Sequence, residues 1–106
     1  MLYEFYQESP KEMMKILAEN MRRRRLEKGY SRRFLSEYSG VPVPTIAKFE
    51  RDYSISLLSY VKLAQTLGYN DQLKALMGDP RYSTIEELDE INNNKNRKRG
   101  YRNENS

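Results

Sequence analysis

Residues 31–50 read Ser-Arg-Arg-Phe-Leu-Ser-Glu-Tyr-Ser-Gly-Val-Pro-Val-Pro-Thr-Ile-Ala-Lys-Phe-Glu, and this stretch decides the fold. Ser31 can offer its hydroxyl oxygen to an otherwise unpaired backbone N–H, which marks a helix start. Gly40 falls where that helix must stop, and glycine tolerates the left-handed conformation that such stops often require. Pro44 stands in the first turn of a second helix, where its missing N–H costs nothing. The stretch therefore predicts two short helices, over about 32–39 and 43–51, joined by a tight turn of about three to four residues. Phe34, Leu35 and Tyr38 supply apolar contacts from the first helix, and Ile46 and Phe49 from the second. Val43, Pro44, Thr45, Ala47, Lys48 and Arg51 are left nearer the exposed side.

Outward from this pair, the rest of the chain also reads as helices. Ser9-Pro10-Lys11-Glu12 is a helix start with a capping box, and the helix can run to about Lys28, with Gly29 as its stop. Met13, Ile16, Leu17 and Met21 recur at helical spacing and are expected to face the core. Four consecutive arginines, Arg22 to Arg25, span more than one turn, so they cannot all face one way. Some meet solvent or phosphate, and one can turn inward toward a carboxylate. Ser56 caps a fourth helix ending near Leu67, with Leu57, Tyr60, Val61, Leu63, Ala64 and Leu67 as its apolar positions. Asn70 is expected to cap a fifth through Met77, burying Leu73, Leu76 and Met77, with Gly78 and Pro80 as stops. No alternating run suggests an internal strand. The expected fold is all-α, a compact five-helix domain over 10–78. Residues 1–9 form an amino-terminal arm, apolar at Leu2, Tyr3, Phe5 and Tyr6, that can pack on the domain or on a second copy. Residues 79–91 form a short acidic segment with a capping pattern at Ser83 and Glu86, and 92–106 a disordered basic tail.

Composition removes whole classes of chemistry. The chain has 106 residues, no cysteine and no histidine. Disulfide scaffolds, thiolate or imidazole metal sites and histidine acid–base catalysis are therefore excluded. No phosphate-cradling glycine loop and no nucleophile–base pair is visible, so neither an enzyme nor a cofactor is expected. No apolar run approaches the roughly 20 residues of a membrane span, the amino terminus lacks the basic start of a secretory leader, and a cytoplasmic location is expected. The net charge of +4 equals that of residues 92–106 alone, so the body is neutral overall. Within that body the charge is sorted: residues 22–51 carry nine basic and three acidic side chains, while 1–21 sum to −2 and 52–91 to −4. The basic segment coincides with the two-helix pattern. Lysine and arginine contacts to phosphate supply most sequence-independent DNA affinity, and the second helix of a helix-turn-helix enters the major groove.

The helices laid out in this way resemble the XRE, or lambda-repressor-like (Cro/CI-type), family over roughly 13–77. Tyr30-Ser31-Arg32 stands at the entry to helix two, Leu35-Ser36 replaces the family's Leu-Ala pair, and Gly40-Val41 is its turn. Thr45-Ile46 with Phe49-Glu50 matches the end of the recognition helix. Ile55-Ser56-Leu57 opens helix four, and Leu63-Ala64 with Leu67-Gly68 closes it. A narrower likeness joins Phe49-Glu50-Arg51, Ile55-Ser56-Leu57, Leu67-Gly68, the acidic 83–88 segment and the Lys/Arg-rich tail to HipB-type antitoxins, which bind their operators as dimers and also bind a HipA-like kinase toxin. The resemblance implies a sequence-specific repressor, a homodimer on a near-palindromic operator, and a structural ion pair between Arg25 and Glu50.

Carried over residue by residue, Val43, Pro44, Thr45 and Lys48 match the base-reading positions. Thr45 can hydrogen-bond, Lys48 can donate to guanine, and Val43 can touch a thymine methyl. Ser31, Arg32, Arg33 and Arg51 are the phosphate-binding candidates, with Arg32 and Arg33 at the positive end of helix two; Lys48 and one of Arg22 to Arg24 can add to them. Pro42 and Pro44 stand where the family usually has polar residues. They either shift readout toward DNA shape or simply stiffen the turn. The basic tail either wraps onto neighbouring phosphates or keeps the chain soluble. The rival to DNA reading is a protein-interaction module of the same fold, acting through the amino-terminal aromatics and the 83–91 segment.

Overall fold

The computed structural model of the chain describes residues 7–100. Among them are six helices and no strand: α1 (Pro10–Glu27), α2 (Arg32–Ser39), α3 (Val43–Asp52), α4 (Leu57–Thr66), α5 (Asn70–Ala75) and α6 (Ile85–Asn94). The chain divides after Leu73 into two compact units. Leu2, Tyr3, Phe5 and Tyr6 of the expected arm, and residues 101–106 of the expected tail, lie outside the described residues.

The first unit is built on α1 to α4, with α3 packed on α1 and α2, and α2 on α4. The starts of α1, α2 and α4 are each capped by a serine. Ser9 Oγ accepts from Glu12 N–H at 3.1 Å, Ser31 Oγ from Phe34 N–H at 3.0 Å and Ser56 Oγ from Ser59 N–H at 3.1 Å. α2 ends on Gly40 at φ +77°, a conformation that a side chain would strain. Leu35, Val41, Ile46, Phe49 and Leu63 are the largest fully buried side chains, joined by Ala18, Met21, Ala64 and Leu67. Tyr60 meets Phe49 edge-on, with ring centroids 5.9 Å apart.

The inward face of α1 is not the expected one. Met14, Leu17, Ala18, Met21 and Arg25 face the core, whereas Met13 and Ile16 are exposed. Neighbouring helical residues point about 100° apart, so this face turns Met13 and Ile16 outward. Phe34 likewise lies on the surface side of buried Leu35. It stacks between Tyr30 and Tyr38 at centroid distances of 4.6 and 4.5 Å, which leaves Tyr38 exposed instead of packed inward.

α5 also departs from expectation. Asn70 occupies its first helical position and does not cap it; the Asn70 side chain accepts from Gln65 Nε2 at 3.0 Å. The helix stops at Ala75, and Met77 adopts a left-handed φ of +57°. Leu76 and Met77, expected in the core, thus leave the helical face and are exposed, Met77 to 88%.

In the second unit the cap of α6 sits one residue later than expected. Thr84 Oγ1 accepts from Glu87 N–H at 3.1 Å, and the Glu87 carboxylate accepts from Ser83 N–H and O–H at 3.0 and 3.1 Å. Glu87 satisfies both donors of Ser83, and Glu86 takes no part in the cap. α6 runs through Asn94, three residues into the stretch expected to be a tail, with Leu88 and Ile91 half-buried and Ile85 exposed.

Candidate nucleic-acid interface

Two side chains hold α3 down. Ile46 and Phe49 are fully buried, three residues apart on one face. The opposite side must then present the first turn: Val43, Pro44 and Lys48 are exposed and Thr45 is half-buried. Pro42 is the N-cap and makes no side-chain cap bond. Its carbonyl accepts from both Thr45 and Ile46 N–H, at 3.0 and 3.1 Å. Pro42 and Pro44 have no N–H at all, so the leading turn is poor in backbone donors. Hydrogen bonding from this edge falls to the Thr45 hydroxyl and the Lys48 ammonium. An open groove beside them is lined by Ser54, Ser56 and Ser59, hydroxyls that the sequence reading did not assign to this surface.

The charged centre is built on Glu50 of α3. Arg25, on α1, clamps Glu50 through Nε to Oε2 at 2.8 Å and Nη2 to Oε1 at 3.0 Å. The third edge of the same guanidinium donates to the Tyr30 carbonyl at 2.8 Å. The side chains are 7% and 4% exposed, so both charges are buried and must be paired. Arg32 Nε donates to Glu50 Oε1 at 3.0 Å, and Arg22 Nε lies 4.0 Å from the same oxygen. Burial opposes ionisation of Glu50, but hydrogen bonds and charges from Arg25 and Arg32 outweigh it and hold the carboxyl below its usual range. One carboxylate thus gathers cations from the end of α1 and the start of α2. It cannot neutralise three, so the cluster keeps an excess of positive charge.

The sequence-derived phosphate candidates occupy different settings. Ser31 spends an oxygen lone pair on the α2 cap, which leaves its O–H proton to donate. Arg32 is 45% exposed and bound to Glu50 through one edge only. Arg33 is exposed and lies 3.5 Å from Glu37. Arg51 is engaged by Asp52 through two bonds of 3.1 and 3.0 Å. Asp52 was not singled out from sequence, although its place directly after Arg51 was the available signal. Arg22 was also not separated from its neighbours, although it stands three residues before Arg25 and so shares its face. Of the remaining arginines in the run, Arg24 pairs with Glu27 at 2.8 Å and Arg23 bonds Asn20. Among the described residues no group of acidic side chains could hold a metal ion. Among them, too, no helix is long and apolar enough to cross a membrane.

A short helix seated by two apolar side chains, with its first turn exposed and cations gathered at its flank, defines a helix-turn-helix that engages DNA. Comparison with known families agrees: a helix-turn-helix family model matches residues 21–73, half of the chain. The chain belongs to this family, as an XRE/Cro/CI-type, sequence-specific DNA-binding domain. Domains of this family are non-catalytic DNA-binding modules, so the chain is not an enzyme. No curated protein and no solved structure matches the chain.

Proposed function

We propose that this protein is a cytoplasmic transcriptional repressor that binds a near-palindromic operator as a homodimer. The observation that carries the reading is the exposed leading turn of α3 above buried Ile46 and Phe49. Val43, Pro44, Thr45 and Lys48 meet base edges, with Lys48 and Thr45 as the polar contacts and Val43 as the apolar one. Ser31, Arg32, Arg33 and Arg51 anchor flanking phosphates. The two prolines leave few polar groups to read bases, so DNA shape carries part of the specificity. One recognition helix covers only a few base pairs; two copies on half-sites about one DNA turn apart supply the rest.

The order and spacing of α1 to α5 along the chain support a five-helix lambda-repressor-like domain. A HipB-type antitoxin role, with a HipA-like kinase as second partner, is supported by Phe49-Glu50-Arg51, Ile55-Ser56-Leu57 and the acidic 83–88 segment before a basic tail. Selection of duplexes from a random pool, followed by gel shift and sedimentation of the complex, tests the repressor reading. An enriched inverted repeat bound by two copies is expected. No enrichment over random sequence contradicts it. Co-purification with the product of an adjacent kinase-like gene tests the antitoxin role, and independent elution contradicts it.

A further inference from the structure

Asp52 is the last residue of α3, at the negative end of the helix, where a carboxylate is disfavoured. Among the described residues its hydrogen bonds go to Arg51 alone, so no backbone or core group requires it. Those bonds, of 3.1 and 3.0 Å, form the parallel fork with which a guanidinium also grips phosphate. Arg51 therefore cannot present this edge to DNA without releasing Asp52. Both side chains are exposed, at 70% and 46%. Exposed pairs are weak, so a well-placed phosphate can displace the carboxylate and a badly placed one cannot.

We propose that Asp52 is an internal competitor for DNA phosphate: it holds Arg51 back from duplexes of arbitrary sequence and releases it where the α3 contacts fix a phosphate in register. This rests on the DNA-reading role above and adds a specificity-determining residue to it. Hydrogen bonds from Arg51 hold the Asp52 carboxyl below its usual range against the opposing effect of burial, and the charges of Arg51 and Lys48 lower it further, so the competitor stays ionised at neutral pH. A tethered anion of this kind lowers non-specific affinity more than specific affinity, because only the specific complex orders the contacts that outbid it.

The test compares wild-type protein with Asp52→Asn on two probes: a random-sequence duplex, and a duplex selected from a random pool by the wild-type protein. Salt is varied from about 50 to 200 mM. On the random duplex, Asp52→Asn is expected to bind about threefold more tightly at low salt, with a log–log salt slope steeper by about 0.9, the worth of one phosphate contact. Affinity for the selected duplex changes less, so the ratio between the two falls. Adding Arg51→Ala abolishes the gain. Asp71→Asn, which adds the same unit charge on α5, leaves both affinities unchanged. An unchanged slope, equal gains on both probes, weaker binding to both, or a gain that survives Arg51→Ala overturns the proposal. If the wild type binds no duplex, the DNA-reading role falls with it; if the wild type binds and Asp52→Asn behaves identically, this inference alone fails.

Discussion

At the scale of single residues, Glu50 organises the molecule. Its side chain is 4% exposed, and arginines from α1 and α2 converge on it. Replacing Arg25 with alanine strands a buried carboxylate and is expected to cost about 3 kcal/mol, the low end for a broken buried pair because Arg32 and Arg22 remain nearby. Urea unfolding followed by circular dichroism measures it; a cost under about 1 kcal/mol would mean that the pair is expendable. The same carboxylate predicts acid sensitivity. Its folded value lies below the ordinary 4.5, so its contribution is complete above that pH and is lost as pH falls through the folded value. A melting-temperature series from neutral to acid pH should therefore drop less steeply at its acid end in Glu50→Gln than in the wild type. In the proposed reading, Arg32 links this centre to DNA. Arg32→Ala is expected to weaken binding to every duplex and to flatten the salt slope by about 0.9, whereas loss of affinity on one sequence only would speak against a phosphate role.

At the scale of elements, α2 and α3 stand at a fixed relation because the turn between them is chemically determined. Gly40 holds φ +77° with open space around the position of a Cβ, so Gly40→Ala introduces backbone strain without a clash. A loss of about 1–2 kcal/mol is expected from thermal unfolding, and no loss would mean that the turn relaxes into another conformation. The same local logic explains what was legible from sequence. Caps at Ser9, Ser31 and Ser56, and the left-handed glycines Gly40 and Gly68 that follow α2 and α4, are decided within a few residues, and they appear where the sequence indicated. The inward face of α1 is decided by what α3 brings to it, so Met14 and Ala18 displaced Met13 and Ile16. Leu76 and Met77 carry an apolar signal that no local rule distinguishes from burial, and the early end of α5 exposes them. At the candidate interface the Arg25–Glu50 pairing came from family resemblance. The capture of Arg32 by the same Glu50 depends on how α2 meets α3, which spacing alone does not encode.

At the scale of the whole molecule, the sorting of charge gives the account its direction. The body of the chain is neutral, yet residues 22–51 carry +6 and hold the exposed turn of α3. The cations on Arg22, Arg32 and Lys48 belong to three different helices, so no single amphipathic face explains them. Such a field favours any duplex; in the proposed reading, direct choice of sequence comes from the few groups at the leading turn of α3. Lys48 is the group on which the central claim depends. Lys48→Ala and wild-type protein should be titrated against a selected duplex and a random one at a single salt concentration. The expected result is a drop of about tenfold in the ratio of specific to non-specific affinity, the worth of one base contact. Equal losses on both duplexes would show that the leading turn of α3 does not read the major groove.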